Sequence, residues 1–301
     1  MPVVYDNLVN GHRWALRWGP FEHGDILDRR RLNEVIVKYQ PRAVIHFAAY
    51  AYVGESVIDP GRYYRNNVAG SLSVIEAMRD HAIGKIVFSS SCAIYGIPDK
   101  VPIVEETPKN PINPYGMSKL VVERMLQDFE LAHSLKWVAL RYFNAAGDDL
   151  GGEIGEDHAP ETHIVPLALD AAAGHRDKLV IFGDDYDTPD GTCIRDYIHV
   201  SDLADAHVRA LQGLEEGMPS GAFNLGTGTG YSVQQIVEAV ERVTGLRVPI
   251  QISARRPGDP PILVSDATRA REVLGWEPAI LALDDIVRTA WNWHRLQQAS
   301  T

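Results

Sequence analysis

The sequence has 301 residues, of which 45% are hydrophobic and 23% are charged, and its formal net charge is −11. This balance is typical of a globular protein with a sizeable core and room for two domains, while the acidic total argues against non-specific binding to nucleic acid or to anionic membranes. No signal peptide or transmembrane stretch is evident, and the two cysteines, Cys92 and Cys193, fit a reducing compartment. The sequence therefore predicts a cytoplasmic protein.

Strands and helices are predicted to alternate along the first half of the chain. Short runs rich in β-formers predict strands, and apolar residues at helical spacing predict helices. This alternation is typical of right-handed βαβ crossovers and predicts an α/β fold with a parallel sheet. In chain order the predictions are a strand at Val3–Tyr5, a helix at Leu32–Lys38, a strand at Ala43–Phe47, a helix at Val68–Arg79, a strand at Lys85–Ser89, a helix at Lys119–His133 and a strand at Lys136–Tyr142.

A change of lobe is predicted near the middle of the chain, because proline and glycine become dense between Gly147 and Pro166. We therefore expect one domain over residues 1–146 and a second lobe over 147–301, from which some segments return to the first domain. The elements predicted in the second lobe are strands at Leu179–Phe182 and Ala222–Leu225 and helices at Ser232–Thr244 and Leu283–Gln297.

A tyrosine and a lysine four residues apart, in Tyr115-Gly116-Met117-Ser118-Lys119, form the strongest local candidate for chemistry. On a helix this spacing places both side chains on one face. A neighbouring ammonium favours the phenolate and lowers the pKa of a tyrosine, which is otherwise about 10. Such a pair can exchange a proton with a sugar hydroxyl, although the spacing alone is more often an ordinary helix face.

Three serines follow a predicted strand upstream of this pair, in Ser89-Ser90-Ser91-Cys92-Ala93-Ile94-Tyr95-Gly96. Hydroxyl groups at the carboxyl end of a parallel strand face the ligand crevice of such sheets. A polar strand end or a helix cap is the alternative interpretation. The order Ser-Ser-Ser, Tyr-Gly and Pro-Tyr-Gly-x-Ser-Lys is difficult to obtain by chance and favours a catalytic site.

With these motifs in this order, the sequence resembles the UDP-glucose 4-epimerase family, within the extended short-chain dehydrogenase/reductase group. The resemblance runs nearly end to end, and several blocks are specific to the epimerases rather than to the wider group. The blocks are Asp6-Asn7-Leu8, Gly24-Asp25-Ile26, His46-Phe47-Ala48-Ala49, Val53-Gly54-Glu55-Ser56, Tyr63-Tyr64-Arg65-Asn66-Asn67-Val68, Arg141-Tyr142-Phe143-Asn144-Ala145-Ala146-Gly147, Gly191-Thr192-Cys193-Ile194-Arg195-Asp196-Tyr197-Ile198-His199-Val200 and Arg255-Arg256-Pro257-Gly258-Asp259.

The resemblance implies a Rossmann-like, doubly wound parallel sheet that binds NAD and a smaller α/β C-terminal lobe that binds a UDP-sugar. It implies reversible epimerisation at C4 of a UDP-hexose, UDP-galactose to UDP-glucose, through transient oxidation to a 4-keto sugar with tightly bound NAD. The expected setting is galactose metabolism or nucleotide-sugar supply. It also implies a homodimer formed through two helices per subunit, here the Val68–Arg79 and Lys119–His133 regions.

The family's catalytic roles fall on three matching positions. Tyr115 would be the acid/base, Lys119 would lower its pKa and hold the nicotinamide ribose, and Ser91 would bond the sugar 4-hydroxyl. Asp6 and Asn7 would hold the adenosine ribose, because a carboxylate can accept two hydroxyl hydrogens. The residues implied to bind the cofactor are Asp6, Asn7, Asp25, Ile26, Phe47, Ala48, Ala49, Asn66, Ser90, Tyr115, Lys119 and Phe143.

The resemblance also implies the residues that hold the substrate. Arg195 and Arg256 would clamp the diphosphate, because the planar guanidinium fork suits phosphate oxygens. Asp259 would hold the uridine ribose, and residues 180–182 would hold the uracil. The complete implied set is Ser91, Tyr115, Asn144, Val180, Ile181, Phe182, Arg195, Arg256 and Asp259.

One expected segment of the family is not found in the sequence. The family opens with a strand, a Gly-x-x-Gly-x-x-Gly turn and a helix, whereas Asp6 here already matches the end of the second strand, which lies about 20 residues beyond the glycine turn. That turn and helix would neutralise the cofactor pyrophosphate. We therefore expect the functional protein to be longer, through a mis-assigned start or a truncated gene.

Several alternatives remain open at this stage. A sugar 4,6-dehydratase and a UDP-uronate decarboxylase are disfavoured, because an Asp-Glu pair expected after the strand-end hydroxyl is replaced by Cys92-Ala93. Another UDP-sugar 4-epimerase, for a pentose or an N-acetylhexosamine, stays possible, with Leu263 favouring simple hexoses. A non-catalytic remnant that binds a UDP-sugar or a partner is the alternative from another class.

Two further patterns are interpreted structurally. Gly226-Thr227-Gly228-Thr229-Gly230 lacks the full Gly-x-Gly-x-x-Gly pattern and is interpreted as a supporting turn. The eleven histidines show no His-Glu-x-x-His or other recognised metal spacing, so no metal site is expected. His46 lies in a predicted core strand and is interpreted as structural.

Overall fold

The computed structural model of the protein describes residues 1–256 and 259–298. Three short helical segments, at Arg13–Ala15, Tyr64–Gly70 and Cys92–Tyr95, accompany the regular elements. The strands are β1 (Val4–Asp6), β2 (Phe21–His23), β3 (Val44–His46), β4 (Lys85–Ser91), β5 (Lys136–Tyr142), β6 (Asn144–Ala146), β7 (Leu179–Phe182), β8 (Ile194–His199), β9 (Gly221–Leu225), β10 (Gly230–Ser232), β11 (Ile250–Ser253) and β12 (Ile262–Leu263). The helices are α1 (Arg29–Tyr39), α2 (Val53–Ile58), α3 (Pro60–Tyr63), α4 (Ser71–Asp80), α5 (Pro114–His133), α6 (Ile164–Ala173), α7 (Val200–Glu215), α8 (Val233–Thr244), α9 (Thr268–Leu274) and α10 (Leu283–Gln298).

The chain divides into two compact units, each built from several segments. The first comprises Met1–Gly96, Lys109–Arg141 and His207–Ala222. The second comprises Ile97–Pro108, Tyr142–Ala206 and the described residues from Phe223 onward. No helix within residues 1–256 and 259–298 has the length and apolarity needed to cross a membrane.

The first unit contains parallel strands, as the alternating pattern predicts. β1 pairs with β2, and a second sheet has the order β3-β4-β5-β9, with the first two residues of β9 inside this unit. Helices α4 and α5 bury apolar side chains against this second sheet. The core cluster includes Ile75, Met78, Ile86, Phe88 and Leu126, and all of these side chains are at most 2% exposed.

The second unit is also α/β. Strand β8 pairs with β6, β10 and β12, and β7 pairs with β11 in parallel. Its core lies among α6, α8 and α10, with Ile236, Ile286 and Val287 completely buried. Helix α8 begins at a capping box between Ser232 and Gln235 and ends at Gly245, which has a left-handed backbone. The predicted α/β class is therefore confirmed.

The structure corrects two predicted helix boundaries. The helix predicted from Lys119 begins at Pro114, because the Asn113 side chain caps it and a proline fits its first position. The helix predicted at Val68–Arg79 is a π-helical segment up to Gly70 followed by α4. Several elements were not predicted, and many of them are too short to show a period. They are strands β2, β6, β8, β10, β11 and β12 and helices α2, α3, α6, α7 and α9.

Candidate functional site

The start of α5 carries the tyrosine–lysine pair. Asn113 accepts a hydrogen bond from the backbone N–H of Gly116 over 2.8 Å, and this cap fixes the first turn. Tyr115 and Lys119 then lie one turn apart on the helix, with the Lys119 ammonium 5.7 Å from the centroid of the Tyr115 ring. The pair therefore shares one helix face, as its spacing predicts.

The end of β4 lies against the same turn of α5. Ser91 is the last residue of β4, and its hydroxyl accepts a hydrogen bond from the N–H of Ala93 over 3.1 Å. A Cβ placed on Gly116 would lie 2.9 Å from the carbonyl carbon of Ala93 and closer still to its oxygen. Only glycine permits this close approach between the first turn of α5 and the segment that follows β4.

Lys119 is held in an almost completely buried position. Its side chain is 3% exposed, its ammonium donates to the carbonyl oxygen of Ser89 over 2.8 Å, and it lies 5.1 Å from the ring centroid of Phe88. Burial lowers the pKa of Lys119 to about 7, because desolvation disfavours the charged form. Burial, with a smaller contribution from Lys119, also lowers the pKa of His46 to about 3. His46 contacts the Ser71 hydroxyl at 2.8 Å, which fits its structural interpretation.

A buried ion pair between Glu123 and Arg141 lies next to the end of β4. The sequence pattern did not predict this pair. Glu123 lies one turn beyond Lys119 on α5, and its carboxylate accepts two hydrogen bonds from Arg141, at 2.6 and 2.9 Å. The Ser90 hydroxyl donates to the same carboxylate over 2.6 Å. Arg141 also donates to the Tyr95 hydroxyl over 2.9 Å. Ser90, expected at the cofactor, is therefore oriented by this network.

The carboxylates expected at the adenosine lie at the ends of β1 and β2. The Asp6 carboxylate accepts a hydrogen bond from the N–H of Leu8 over 2.6 Å. The Asn7 amide donates to the Asp25 carboxylate over 3.0 Å. This hydrogen bond joins the residues that follow β1 and β2, both of which are expected at the adenosine. Asp6 and Asn7 line a cleft of about 190 Å³ in the first unit.

The same cleft is lined by half of the other residues expected at the cofactor. Asn66 is on the π-helical segment, and the neighbouring Asn67, which sequence reasoning missed, binds both backbone polar groups of Tyr50 at 2.8 and 2.9 Å. Asn67 also donates to the Ser118 hydroxyl over 3.1 Å, which ties the loop after β3 to α5. The predicted cofactor residues along this cleft are Asp6, Asn7, Ile26, Phe47, Ala48, Ala49 and Asn66.

The residues expected to bind the uridine diphosphate lie in the second unit. Along β7, Val180 and Phe182 are partly exposed, whereas the Ile181 side chain is 2% exposed and belongs to the core. The Arg256 guanidinium lies 3.9 Å from the centroid of the Phe182 ring. An Arg195 guanidinium nitrogen lies 3.9 Å from the Asp259 carboxylate. Arg256 therefore lies against the last residue of β7, and Arg195 on β8 lies near Asp259. Pro257 and Gly258 of the same sequence block lie outside the described residues.

Two other predicted residues of the second unit are anchored by backbone groups. Phe143 is 7% exposed, and its N–H donates to the carbonyl oxygen of Leu225 over 3.2 Å. Asn144 begins β6, and its amide donates to the carbonyl oxygen of Asp196 over 3.1 Å. The backbone of Phe143 is thus joined to β9, and the side chain of Asn144 is joined to β8.

The glycine-rich turn after β9 encloses a carboxylate of the chain itself. Asp196 accepts hydrogen bonds from the N–H groups of Thr227 and Gly228 at 2.8 and 3.1 Å, and from the Ser265 hydroxyl at 2.6 Å. The backbone groups that would bind a phosphate in a nucleotide loop are therefore directed at Asp196. This fits the interpretation of residues 226–230 as a supporting turn.

Comparison with known proteins identifies close relatives. The model of the NAD dependent epimerase/dehydratase family matches residues 3–226. UDP-glucose 4-epimerases of Rhizobium leguminosarum bv. trifolii and Streptococcus mutans are 54% and 50% identical to this chain, covering 97% of it and 89% and 88% of their own lengths.

Solved structures give the same result. The UDP-glucose 4-epimerase from Brucella ovis, in complex with NAD, has a TM-score of 0.94 and 57% identity over 96% of this chain and 89% of its own. The enzyme from Bifidobacterium longum, in complex with NAD+ and UDP, has a TM-score of 0.93 and 38% identity over 99% of this chain and 92% of its own.

Proposed function

The chain belongs to the NAD dependent epimerase/dehydratase family, and on this premise we propose that it catalyses reversible inversion at C4 of a UDP-hexose, interconverting UDP-galactose and UDP-glucose. The family and fold predictions made from the sequence are confirmed. The observation that supports the reaction is the contact between the start of α5, which carries Tyr115 and Lys119, and the segment that follows Ser91 at the end of β4.

These three residues act on the 4-hydroxyl group. Tyr115 takes the hydroxyl proton during oxidation and returns it during reduction. Lys119, one helical turn away, provides the buried ammonium that favours the phenolate of Tyr115. Ser91 donates to or accepts from the 4-hydroxyl and aligns it with Tyr115. Inversion requires that the transient 4-keto sugar presents its other face while the uridine diphosphate remains held.

The residues of the first unit fit NAD as the cofactor. Asp6 ends β1 beside an open cleft, and its carboxylate suits the two hydroxyl groups of the adenosine ribose. Asp25 and Ile26 flank the adenine, and Phe47, Ala48 and Ala49 line the path of the pyrophosphate. Asn66, Ser90 and Lys119 complete the set within this unit, and Phe143, which is part of the second unit, is kept as a further predicted cofactor residue. When bound, NAD supplies a reversible hydride acceptor for C4 of the sugar.

The residues of the second unit hold the uridine diphosphate. Arg195 and Arg256 bind the phosphate oxygens, since guanidinium groups form strong charge-assisted hydrogen bonds with them. Asp259 binds the uridine ribose, Val180 and Phe182 contact the uracil, and Asn144 contacts the sugar. Ile181 contributes through its backbone, because its side chain is in the core.

The proposal also covers the division of ligand binding along the chain, the oligomeric state and the compartment. NAD binding is assigned mainly to residues 1–146 and UDP-sugar binding mainly to 147–301. A homodimer forms through the Val68–Arg79 and Lys119–His133 regions, where the exposed side chains of Leu72 and Leu131 offer apolar surface. The protein acts in the cytoplasm, where Cys92 and Cys193 remain thiols. Light scattering of the purified chain tests the dimer directly.

The reaction is tested by incubating the purified chain with UDP-galactose and measuring UDP-glucose. Wild type should interconvert the two sugars, and Tyr115→Phe should lower kcat by about 10²–10⁴-fold. UDP-N-acetylgalactosamine and a UDP-pentose measure the substrate range, for which Leu263 favours the simple hexoses. Faster turnover of either of those sugars than of UDP-galactose would reassign the substrate.

A further inference from the structure

Two side chains of α5, one helical turn apart, hold consecutive residues at the end of β4. The Lys119 ammonium donates to the carbonyl oxygen of Ser89 over 2.8 Å, and the Glu123 carboxylate accepts from the Ser90 hydroxyl over 2.6 Å. Both hydrogen bonds lie immediately before Ser91 along the strand. We propose that Glu123 is a positioning residue, which holds the end of β4 so that the Ser89 carbonyl keeps Lys119 in its buried place. This inference rests on the proposed function, in which Lys119 assists the acid/base.

The carboxylate of Glu123 is itself oriented by a guanidinium from β5. Arg141 donates from Nε to one carboxylate oxygen over 2.9 Å and from Nη2 to the other over 2.6 Å. Two such parallel bonds fix the plane of the carboxylate as well as its distance. The oxygen that accepts from Nε is also the one that accepts from Ser90. The direction of the Ser90 hydroxyl is therefore set by β5 and α5 together.

Burial makes this arrangement demanding. Glu123 is 1% exposed and Ser90 is completely buried, so water does not replace a lost partner. A buried hydroxyl without an acceptor is costly, and the chain around it shifts to find one. Removal of the Glu123 carboxylate would therefore disturb the peptide group between Ser89 and Ser90, whose carbonyl oxygen accepts from Lys119.

The ion pair also keeps the charge of Glu123 from acting on Lys119. An unpaired carboxylate nearby would favour the ammonium, whereas burial lowers the pKa of Lys119 to about 7. The other titratable side chains facing the ammonium are Tyr115 on the same helix and His46 on β3, whose pKa is lowered by burial and by Lys119. With its charge balanced by Arg141, Glu123 acts through its hydrogen bonds.

A purely structural role of the ion pair is the competing account. In that account Glu123 and Arg141 contribute to folding, and the position of Lys119 does not depend on them. Both accounts predict that the fold is weakened when one partner is removed. A comparison between folded variants that carry no buried unpaired charge separates them.

Two neutral double variants provide this comparison. Glu123→Gln/Arg141→Met retains a side-chain oxygen that can accept from Ser90, whereas Glu123→Leu/Arg141→Met does not. Both lose the same hydrogen bond from Arg141 to the Tyr95 hydroxyl, so that this loss cancels between them. The two variants therefore differ in the acceptor for Ser90.

Kinetics with UDP-galactose at saturating NAD give the first readout. Glu123→Gln/Arg141→Met should retain most of the wild-type kcat, and Glu123→Leu/Arg141→Met should lose about 10–100-fold, because small displacements of reacting groups have effects of this size. KM should stay within about twofold in both, since the residues proposed to hold the uridine diphosphate belong to the second unit. Circular dichroism checks that each variant is folded.

Glu130, near the other end of α5, offers a matched control. Its carboxylate accepts from the Lys136 ammonium over 2.8 Å and from the Ser220 hydroxyl over 2.7 Å, so it combines a cation with a serine as Glu123 does. Glu130→Leu/Lys136→Met makes the same kind of change far along the helix from Lys119. It should leave both kcat and KM at wild-type values.

The pH dependence of urea unfolding gives a second readout, which needs neither substrate nor NAD. The pKa of Lys119 is about 7 in the folded state and about 10.4 when unfolded, so its contribution to stability rises with pH between these values. Comparison of each background with and without Lys119→Met isolates this rise. In Glu123→Leu/Arg141→Met the released ammonium reaches water, its pKa moves towards the unfolded value, and the rise should shrink to less than about half. In Glu123→Gln/Arg141→Met the rise should persist.

Three results would overturn the proposal. The first is wild-type kcat in folded Glu123→Leu/Arg141→Met, and the second is an equal loss of kcat in both double variants. The third is a similar loss in the Glu130 control, which would attribute the effect to general weakening of α5. Wild type that forms no UDP-glucose would instead refute the proposed function, and the unfolding data would then decide alone. A full Lys119-dependent rise in Glu123→Leu/Arg141→Met would in that case overturn the positioning role, and a reduced rise would support it.

Discussion

The ammonium group of Lys119 donates a hydrogen bond over 2.8 Å to the backbone carbonyl oxygen of Ser89, two residues before Ser91. The lysine side chain is 3% exposed, and its burial lowers its pKa to about 7. A cation is thus held next to Tyr115 in a place where water solvates it poorly. Holding the Lys119 ammonium in this buried place lowers the free energy of unfolding at neutral pH. Such a loss of stability is frequent at functional sites.

Lys119→Met should be inactive but more stable than wild type at pH 7. The pKa of Lys119 is about 7 in the folded state and about 10.4 when unfolded, so the unfolded chain binds more protons between these pH values. The contribution of this group to stability therefore rises with pH, by at most about 1.4 kcal/mol per pH unit. The advantage of Lys119→Met should be largest below pH 7 and should disappear towards pH 10.

Urea unfolding from pH 6 to pH 10 measures this difference. Lys100→Met, at an exposed lysine, is the control and should show no comparable dependence on pH. A difference between wild type and Lys119→Met that stays constant from pH 7 to pH 10 would disprove the linkage.

Gly116→Ala should lower both stability and kcat. Its Cβ would lie 2.9 Å from the carbonyl carbon of Ala93, so α5 must move away from the strand end that carries Ser91. Such overpacking typically costs about 1–3 kcal/mol, and a small displacement of Tyr115 reduces proton transfer. Gly54→Ala is the matched control, because a Cβ there meets nothing within 4 Å. Chemical unfolding and initial rates test both, and normal kcat in Gly116→Ala would refute the close-packing argument.

Breaking the Glu123–Arg141 pair should be strongly destabilising. Both residues are at most 3% exposed, so Arg141→Met leaves a buried carboxylate without its cation, at a cost of about 3–5 kcal/mol. The double variant Glu123→Leu/Arg141→Met removes both charges and should be more stable than Arg141→Met alone. Urea unfolding of the single and double variants measures the coupling. Additive losses in the double variant would mean that the two residues act independently.

The two neighbouring arginines after β11 should differ in their effect on substrate binding. Arg256→Gln should raise KM for UDP-galactose by about 10–100-fold, since a hydrogen bond to a charged group contributes about 1.5–3 kcal/mol. Arg255→Gln should leave KM nearly unchanged, because the Arg255 guanidinium is paired with Asp185 at 2.5 Å. Steady-state kinetics compare the two. Equal increases of KM would indicate a general charge effect rather than a phosphate contact.

The sequence predicted what depends on local pattern or on ordered motifs. The strands at Lys85–Ser91 and Lys136–Tyr142 were predicted with nearly their final bounds, because each is a compact run of β-formers. The spacing of Tyr115 and Lys119, together with the family resemblance, made them candidate site residues. The strand predictions and the Tyr115–Lys119 prediction both rested on the types and spacing of residues that are close together in the sequence.

Long-range relationships were not predictable in the same way. Glu123 and Arg141 are 18 positions apart, and no local period indicates that they pair. Asp196 accepts hydrogen bonds from Thr227 and Ser265, 31 and 69 positions away, so the function of the glycine-rich turn is visible only once the chain is folded. The reason for glycine at position 116 likewise depends on a carbonyl group of another element.

The most direct test of the central claim combines cofactor content with turnover in the 301-residue chain. Purified, folded protein is denatured, the released NAD(H) is counted per chain, and a parallel sample is assayed with UDP-galactose. Our account predicts bound NAD(H) near one per chain and formation of UDP-glucose without added cofactor. Folded protein that releases no NAD(H), and forms no UDP-glucose even with NAD supplied, would contradict it.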